Sequence, residues 1–251
     1  MATITENIQT LRSIKSDIKN AILQKGGVVT DAFGGYAQAI TNLPSGGGGG
    51  TENEDALVTR TLSVYSNDRV SMVGDYAFYS YSNLSTVNLP NCLSVGTSAF
   101  YNCYALQYID LPNCSFIGEY VFYYCSVLSS ISLPNCSYVD GYVFGFCSLL
   151  SSIDLPLCSY VGNGAFGKCS ALQSVILPLC TSIGSYTFNS CSNLAQVYLN
   201  SVSSVTTIQY NTFMNCPNLT SVYVPSSLVD AFKTASNWSS ISDKIVAYTE
   251  A

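Results

Sequence analysis

The sequence LPNCSFIGEYVFYYCSVLSSIS, residues 111–132, is followed directly by LPNCSYVDGYVFGFCSLLSSID, residues 133–154. The two segments define a period of 22 residues, which extends outward because LPNC or LPLC also begins at Leu89, Leu155 and Leu177. Self-similarity at a fixed period indicates a solenoid, in which each unit buries its apolar face against the next unit. The repeats therefore decide the fold.

Two apolar columns confirm the period. Phenylalanine occurs at Phe78, Phe100, Phe122, Phe144, Phe166 and Phe188, and then at Phe213 after a spacing of 25. The longer last spacing predicts a three-residue insertion around Ile208 to Asn211. Leucine opens a segment of the form L-x-x-(V/I)-x-(L/V) at Leu84, Leu106, Leu128, Leu150, Leu172, Leu194 and Leu219.

The leucine segments predict one short strand per repeat, since apolar and polar residues alternate and six of the seven strands end before proline. Leu106, Ile109 and Leu111 are expected to point into the core, and Tyr108 and Asp110 outward. The rest of each repeat spaces its apolar residues three or four apart, which predicts one helical or 3₁₀ turn. A glycine at 74, 96, 118, 162 and 184 is expected to supply a tight bend before that turn. The predicted fold is an α/β solenoid.

Residues outside the repeats predict three further segments. Residues 1–43 carry apolar residues at helical spacing and predict a helical head. Residues 44–54 include five consecutive glycines and predict a flexible linker. The solenoid is assigned to residues 55–225, and residues 226–251 predict a C-terminal helical cap that covers the open end of the core. The head contains Ile4, Ile8, Leu11, Ile14, Ile18 and Ile22 in one stripe.

The repeat pattern L-x-x-I-x-L-P followed by G-x-x-A-F-x-x-C-x-x-L resembles the BspA-like, or Treponema-type, leucine-rich repeats. The resemblance covers about residues 60–249 and implies a leucine-rich-repeat array with adhesion or host interaction as its function. The head, with IKSDIKNAILQKG and the glycine linker behind it, resembles the front of tail-associated proteins of gut phages. The second resemblance implies a virion component.

Composition argues against several other classes. The net charge of -6 and the low charged fraction of 10% predict no nucleic-acid partner. Without histidine, the chain lacks the commonest general base and metal ligand. The first residues, MATITENIQT, lack the basic and apolar stretches of a secretory signal, and no apolar run is long enough for a membrane span. We therefore expect a location in the virion tail if a phage encodes the chain, and otherwise in the cytoplasm or at the cell surface by another route.

The eleven cysteines form two ladders with the repeat period and are expected to fill the core as small apolar residues. Their nearest spacing of 11 does not match a zinc site. Asp110 and Asp154 would lie two repeats apart on the outward strand face, where solvated carboxylates are expected instead of a catalytic pair. The sequence thus predicts no catalytic residue, metal ion or cofactor.

Tyrosine is the unusual component, with nineteen residues against eleven phenylalanines. Tyr79, Tyr101 and Tyr123 follow the phenylalanine column, and Tyr120 and Tyr142 precede it. Equal spacing predicts that they stack in rows on one flank, as a binding surface of the kind that paratopes build from tyrosine. The alternative is that these rows only tile the exterior. A competing binding face is the strand surface around Tyr108 and Asp110.

The function that follows is non-catalytic binding. The leading hypothesis is a phage tail-associated or receptor-binding protein that recognises a bacterial surface protein or glycan, with residues 1–43 attaching it to the virion or to other copies of itself. The alternative is a bacterial BspA-like adhesin or protein-interaction module. A glycan-degrading enzyme is the weaker third hypothesis.

Deletion of residues 1–43 is expected to reduce the number of subunits in solution. The six-residue apolar stripe of the head is wider than one short helical hairpin can cover, so it should pack against other copies as a small bundle. Light scattering on the full-length and truncated chains measures the change. The same subunit number for both chains would contradict self-association through the head.

Overall fold

The computed structural model of the protein describes residues 62–249. The predicted head and linker, residues 1–43 and 44–54, lie outside the described residues. Within the described part, the chain winds into a solenoid whose repeats place equivalent residues side by side. The parallel pairing of Thr86 with Tyr108 shows the offset of one repeat.

The repeats build two faces of parallel strands, although one strand per repeat was predicted. The first sheet face follows the leucine segments, and only a bridge between Asp110 and Ser132 continues it where one repeat lacks a strand. Its strands are β1 Val64–Ser66, β3 Thr86–Asn88, β5 Tyr108–Asp110, β8 Ser152–Asp154, β10 Ser174–Ile176, β12 Gln196–Tyr198, β14 Ser221–Val224 and β15 Ile245–Ala247. The second sheet has two-residue strands, β2 Met72–Val73, β4 Ser94–Val95, β6 Phe116–Ile117, β7 Tyr138–Val139, β9 Tyr160–Val161, β11 Ser182–Ile183 and β13 Thr207–Ile208. Two residues are too few for an alternating pattern to show in the sequence.

The third side of the solenoid is a hydrogen-bonded column of turns, and the predicted helical or 3₁₀ turn is wrong. The backbone N–H groups of Tyr76, Phe78 and Ser80 donate to the carbonyls of Thr97, Ala99 and Tyr101 in the next repeat, at 2.7–2.9 Å. The same three bonds recur at all six junctions between successive turns. We call this column, residues 74–81, 96–103, 118–125, 140–147, 162–169, 184–191 and 209–216, the turn ladder.

The core lies between these three sides and is built from the predicted columns. Leu106, Ile109 and Leu111 are buried as expected, whereas Tyr108 points outward and is 51% exposed. Phenylalanine rings of neighbouring repeats stack with centroids 5.0–5.6 Å apart from Phe78 through to Phe213. Each ring thus covers the faces of its neighbours, and the stack runs along the whole array.

The glycine column begins hydrogen-bonded turns, as in the bond from the N–H of Ala165 to the carbonyl of Gly162, and four of its five members also serve close packing. The exception is Gly74, where a Cβ would meet open space. None of the five predicted glycines has a positive φ. A Cβ at Gly162 would lie 2.5 Å from the carbonyl carbon of Asp140, and one at Gly184 would lie 2.6 Å from the backbone nitrogen of Asn163. Glycine is therefore needed because the next repeat's backbone passes directly beneath the preceding one.

The three-residue insertion lies earlier than predicted. Ser174 pairs with Gln196 of β12 at an offset of 22, whereas Ser182 pairs with Thr207 of β13 at an offset of 25. The extra residues must precede Thr207, in the corner between β12 and β13, and not at Ile208 to Asn211. The phenylalanine spacing alone could not locate them, since it reports only that the repeat is longer.

The C-terminal segment follows β14 with a 3₁₀ turn at Ser226–Leu228, helix α1 at Val229–Thr234 and a second 3₁₀ segment at Ser239–Lys244. The prediction of a helical cap over residues 226–251 is thus not confirmed, since the segment has one α-helix of six residues and ends in strand β15. Trp238 is buried, with its ring centroid 5.9 Å from that of Phe213. Its Nε1–H donates to the carbonyl of Thr206 at 2.6 Å. Trp238 therefore occupies the place that a further phenylalanine would take in the core stack.

The cysteines occupy the buried columns, and their thiols also donate hydrogen bonds. The S–H of Cys103 donates to the carbonyl of Phe78 at 3.1 Å, and that of Cys114 donates to the carbonyl of Phe116 at 3.2 Å. Burial raises the pKa of Cys114 and Cys136 from 9.0 to about 12. The thiols are consequently neutral at physiological pH and bind main-chain oxygens as well as filling space.

Phe144→Ala is expected to lower the free energy of unfolding by roughly 3–5 kcal/mol, because it opens a cavity in the ring stack. Phe144 is fully buried between Phe122 and Phe166, at 5.5 and 5.2 Å. Ser130→Ala, at an exposed position, is the control and should change stability by less than about 0.5 kcal/mol. Chemical denaturation measures both. Equal losses would contradict the burial pattern.

Thiol reactivity is expected to be low in the native protein. A thiol with a raised pKa carries little thiolate, and ten of the eleven cysteines are buried. Cys216 is half-buried and should react first with an aromatic disulfide reagent near neutral pH. The other thiols should react only after denaturant is added. Rapid labelling of several cysteines in the folded protein would show that the columns open to solvent.

Candidate binding surface

Aromatic side chains gather on the outside of the turn ladder in its first four turns. Phenylalanine of the core column points inward there, and tyrosines on either side of it point outward, half-buried or exposed. We call this group the aromatic cluster, which consists of Tyr76, Tyr79, Tyr101, Tyr120, Tyr123, Tyr124, Tyr142 and Phe146. It includes five of the seven residues predicted for a binding site.

The predicted rows are present in the cluster. Tyr79 and Tyr101 stack with centroids 5.0 Å apart and planes 5° apart, and Tyr101 and Tyr123 stack at 5.3 Å and 17°. Tyr120 and Tyr142 form a second row at 5.0 Å and 3°. Edge-on contacts join the rows, such as Tyr120 to Tyr123 at 5.4 Å. The rings therefore support one another as one layer.

Stacking determines which part of each ring meets solvent. Parallel rings about 5 Å apart cover each other's faces, so a row presents ring edges and hydroxyl groups outward. Tyr101, in the middle of its row, has one neighbour on each side, Tyr79 and Tyr123. The predicted apolar stripe is therefore a stripe of edges and hydroxyls, which changes the ligands it suits.

Two glycines mark the C-terminal boundary of the cluster. A Cβ at Gly145 would lie 2.5 Å from a ring carbon of Tyr123, and one at Gly164 would lie 2.5 Å from a ring carbon of Tyr142. Each ring thus packs on bare backbone where the next tyrosine of its row is missing. Lys168 adds a cationic border, with Nζ 4.6 Å from the centroid of Phe146.

Several cluster residues have a backbone conformation that disfavours large side chains. Tyr76, Tyr120, Tyr124, Tyr142 and Phe146 have φ between 56° and 63°. An L-residue in the left-handed region costs about 1–2 kcal/mol, and asparagine or glycine is the usual occupant. Backbone preference does not explain aromatic residues at these positions. Interactions of the aromatic side chains must therefore offset the cost of the left-handed backbone.

Among the tyrosines of the cluster, Tyr101 and Tyr120 have a raised pKa. Burial, together with the neighbouring hydroxyl of Tyr79, raises the pKa of Tyr101. Burial also raises the pKa of Tyr120, and the carboxylate of Glu119 adds to the effect. These two phenols are therefore neutral at physiological pH and can both donate and accept hydrogen bonds.

Tyr108 and Asp110, the other two predicted site residues, lie elsewhere. Both belong to β5 on the first sheet, so the structure does not bring them to the turn ladder. Tyr108 is half-exposed, and Asp110 is partly covered. The strand surface thus remains a separate candidate, and the binding role of either surface stays a prediction.

Sequence analysis missed Tyr124 and Phe146, which close the cluster with centroids 4.4 Å apart. It also missed a row on the second sheet, where Phe116, Tyr138 and Tyr160 stack at 5.7 and 4.6 Å. The 22-residue spacing of these aromatic residues was a usable signal. It went unused because the sequence did not reveal a second sheet.

Within residues 62–249, no group of histidine, cysteine, aspartate and glutamate side chains is arranged to hold a metal ion. In the same part of the chain, none of the helices combines the length and apolarity that a bilayer crossing requires.

Comparison with known proteins relates this architecture to bacterial repeat proteins. The crystal structure of a leucine rich cell surface protein from Faecalibacterium prausnitzii A2-165 has a TM-score of 0.57 and 24% identity, covering 65% of this chain and 48% of that one. The chain thus spans about half the length of that protein. The leucine rich repeat protein of T. pallidum has a TM-score of 0.55 and 30% identity, covering 64% of this chain and 75% of that one.

No curated protein sequence matches the chain significantly. The family model described as the BspA type leucine rich repeat region does match, in two overlapping stretches at residues 59–173 and 115–242. Together they span most of the chain and all of the turn ladder. On its repeats, its parallel sheets and this match, the chain belongs to the BspA-type leucine-rich repeat family.

Proposed function

We propose that the chain is a non-catalytic, adhesin-like binding module that recognises a protein through the aromatic cluster. The observation that supports this most is the presence of large aromatic residues at left-handed backbone positions, where they are conformationally costly. A surface that only needed to be soluble would place asparagine, glycine or serine there, as the same ladder does at Ser98, Gly164 and Asn211.

The stacking favours a protein partner over a glycan. Sugar rings are usually bound on the exposed face of an aromatic ring, and the interior rows of the cluster have their faces covered by neighbouring rings. Edges and hydroxyls instead suit the mixed apolar and hydrogen-bonding contacts of a protein interface. The rings are already held in place by one another, so little side-chain entropy is lost on binding.

The setting we favour is a bacterial surface, which was the alternative hypothesis from the sequence. The F. prausnitzii protein that shares the fold is a cell surface protein, and family membership accords with adhesion. A phage-tail role through residues 1–43 remains a hypothesis, because those residues lie outside the described part. Immunogold labelling with an antibody to the repeats would separate the two, since one predicts label on cells and the other on virions.

Tyr101→Ala is expected to weaken binding to target cells by about thirty-fold, or ~2 kcal/mol, because central aromatic residues concentrate interface energy. Tyr101 contacts Tyr79, Tyr120, Tyr123 and Tyr124, so its removal disturbs both rows. Tyr101→Phe preserves the stacking, so its affinity separates the contribution of the hydroxyl group to binding from that of the ring. Cell-binding curves with labelled protein give the affinities.

Tyr108→Ala is the matched control on the first sheet, since it removes an exposed tyrosine of the same size. Circular dichroism should show the same fold for all three variants. A loss of binding with Tyr108→Ala and none with Tyr101→Ala would move the site to the strand surface. Unchanged binding in both variants would exclude both surfaces as the dominant contact.

A further inference from the structure

The turn ladder has a direction, and it ends at an edge of unpaired donors. At every junction, three N–H groups of one turn donate to three carbonyls of the following turn, as in the bonds from Tyr186, Phe188 and Ser190 to Tyr210, Thr212 and Met214. All these N–H groups point toward the C-terminal end of the array. The last turn, residues 209–216, therefore has its corresponding donors directed away from the repeats.

The three donors in question are the backbone N–H groups of Asn211, Phe213 and Asn215. None of them has a hydrogen-bond acceptor among residues 62–249. The chain returns to this end after α1, but it supplies side chains in place of a further turn. Trp238 packs on Phe213, and the side-chain N–H of Asn237 donates to the carbonyl of Ile208 at 2.9 Å. The core is thus covered, while the ladder is left open.

A cavity lies at this open edge. Its volume is ≈ 430 Å³, and the last turn and the second 3₁₀ segment line it. The lining is uncharged and contains the amides of Gln209, Asn211 and Asn237 and the hydroxyls of Ser239 and Ser240. Tyr210 and Met214 stand at the same edge and are exposed, at 65% and 43%. The cavity falls in the size range of ligand sites.

We propose that this edge binds an extended peptide segment of a partner protein, whose main-chain carbonyls accept the three N–H groups. In every internal turn the three N–H groups donate to three carbonyls of the next repeat. A peptide backbone, which carries such a row of carbonyls, can therefore pair with the three unpaired N–H groups at the edge. The mode is equivalent to strand addition at an exposed sheet edge. Tyr210 and Met214 would contact side chains of the bound segment.

A small anion fits the edge less well than a peptide does. The lining contains no lysine or arginine, so there is no counter-charge. The donors belong to alternate residues of one turn, and a single carboxylate cannot reach all three. A peptide carries acceptors at repeated intervals along its length and can pair with the whole row. This site uses main-chain chemistry and is separate from the aromatic cluster.

The test uses the full-length chain and a library of random linear peptides displayed on phage. Enriched peptides are synthesised and titrated into ¹⁵N-labelled protein, and the amide signals of Asn211, Phe213 and Asn215 are followed by NMR. We expect these three signals to shift and their hydrogen exchange to slow. Failure to enrich any peptide, or shifts confined to the aromatic cluster, would overturn the proposal.

Ser239→Trp fills the cavity from an exposed lining position and should weaken binding of the enriched peptide by about tenfold or more. Ser227→Trp adds the same side chain at an exposed position outside the lining, and should leave the affinity unchanged. Thermal unfolding confirms that both variants fold. Equal affinities for the two variants would show that the peptide binds elsewhere.

Discussion

The hydrogen bonds between successive turns constrain everything else in this protein. Each turn must present three N–H groups to the three carbonyls of the next turn, as Tyr120, Phe122 and Tyr124 do to Gly141, Val143 and Gly145 at 2.8–3.0 Å. That geometry needs two left-handed residues per repeat. It also needs a fixed repeat length, because any change inside the turn would misalign all three bonds. The single insertion accordingly lies in the corner before β13, outside the turn.

Because the register between repeats is fixed, equivalent residues of successive repeats form columns. These columns explain both the core and the surface. Phe144 stacks on Phe122 and Phe166 inside, while Tyr101 stacks on Tyr79 and Tyr123 outside. Burial stabilises the inner column, and contact between neighbouring rings stabilises the outer one. Neither column therefore depends on distant parts of the chain. Because local contacts dominate, surface columns can change along the array while the core columns stay the same. The aromatic cluster is such a local change.

Much of the fold could be predicted, because the apolar columns are visible in the sequence. Leu106, Ile109 and Leu111 were placed correctly, and so was the tyrosine row at Tyr79. The turn was mistaken for a helical one because an apolar spacing of three or four fits both a helical turn and the turn that is observed. A tyrosine with left-handed backbone, such as Tyr120, also cannot be recognised from the sequence. The close packing at glycines such as Gly162 could not be predicted, because a sequence shows that a side chain is absent but not what occupies its space. The donor edge at Asn211 could not be predicted, because it depends on the direction of the ladder.

A solenoid of this kind offers two chemically different recognition surfaces. Along its flank the N–H groups that join successive turns are paired with carbonyls, so specificity there comes from side chains, and the aromatic cluster provides them. At its C-terminal end the main chain itself is available, because Trp238 replaces the next phenylalanine without replacing the next turn. Side-chain columns can vary in sequence without loss of the fold, whereas the donors at the end are fixed by it. The flank is therefore suited to recognition by side chains, and the end to recognition of an extended peptide mainly through its backbone.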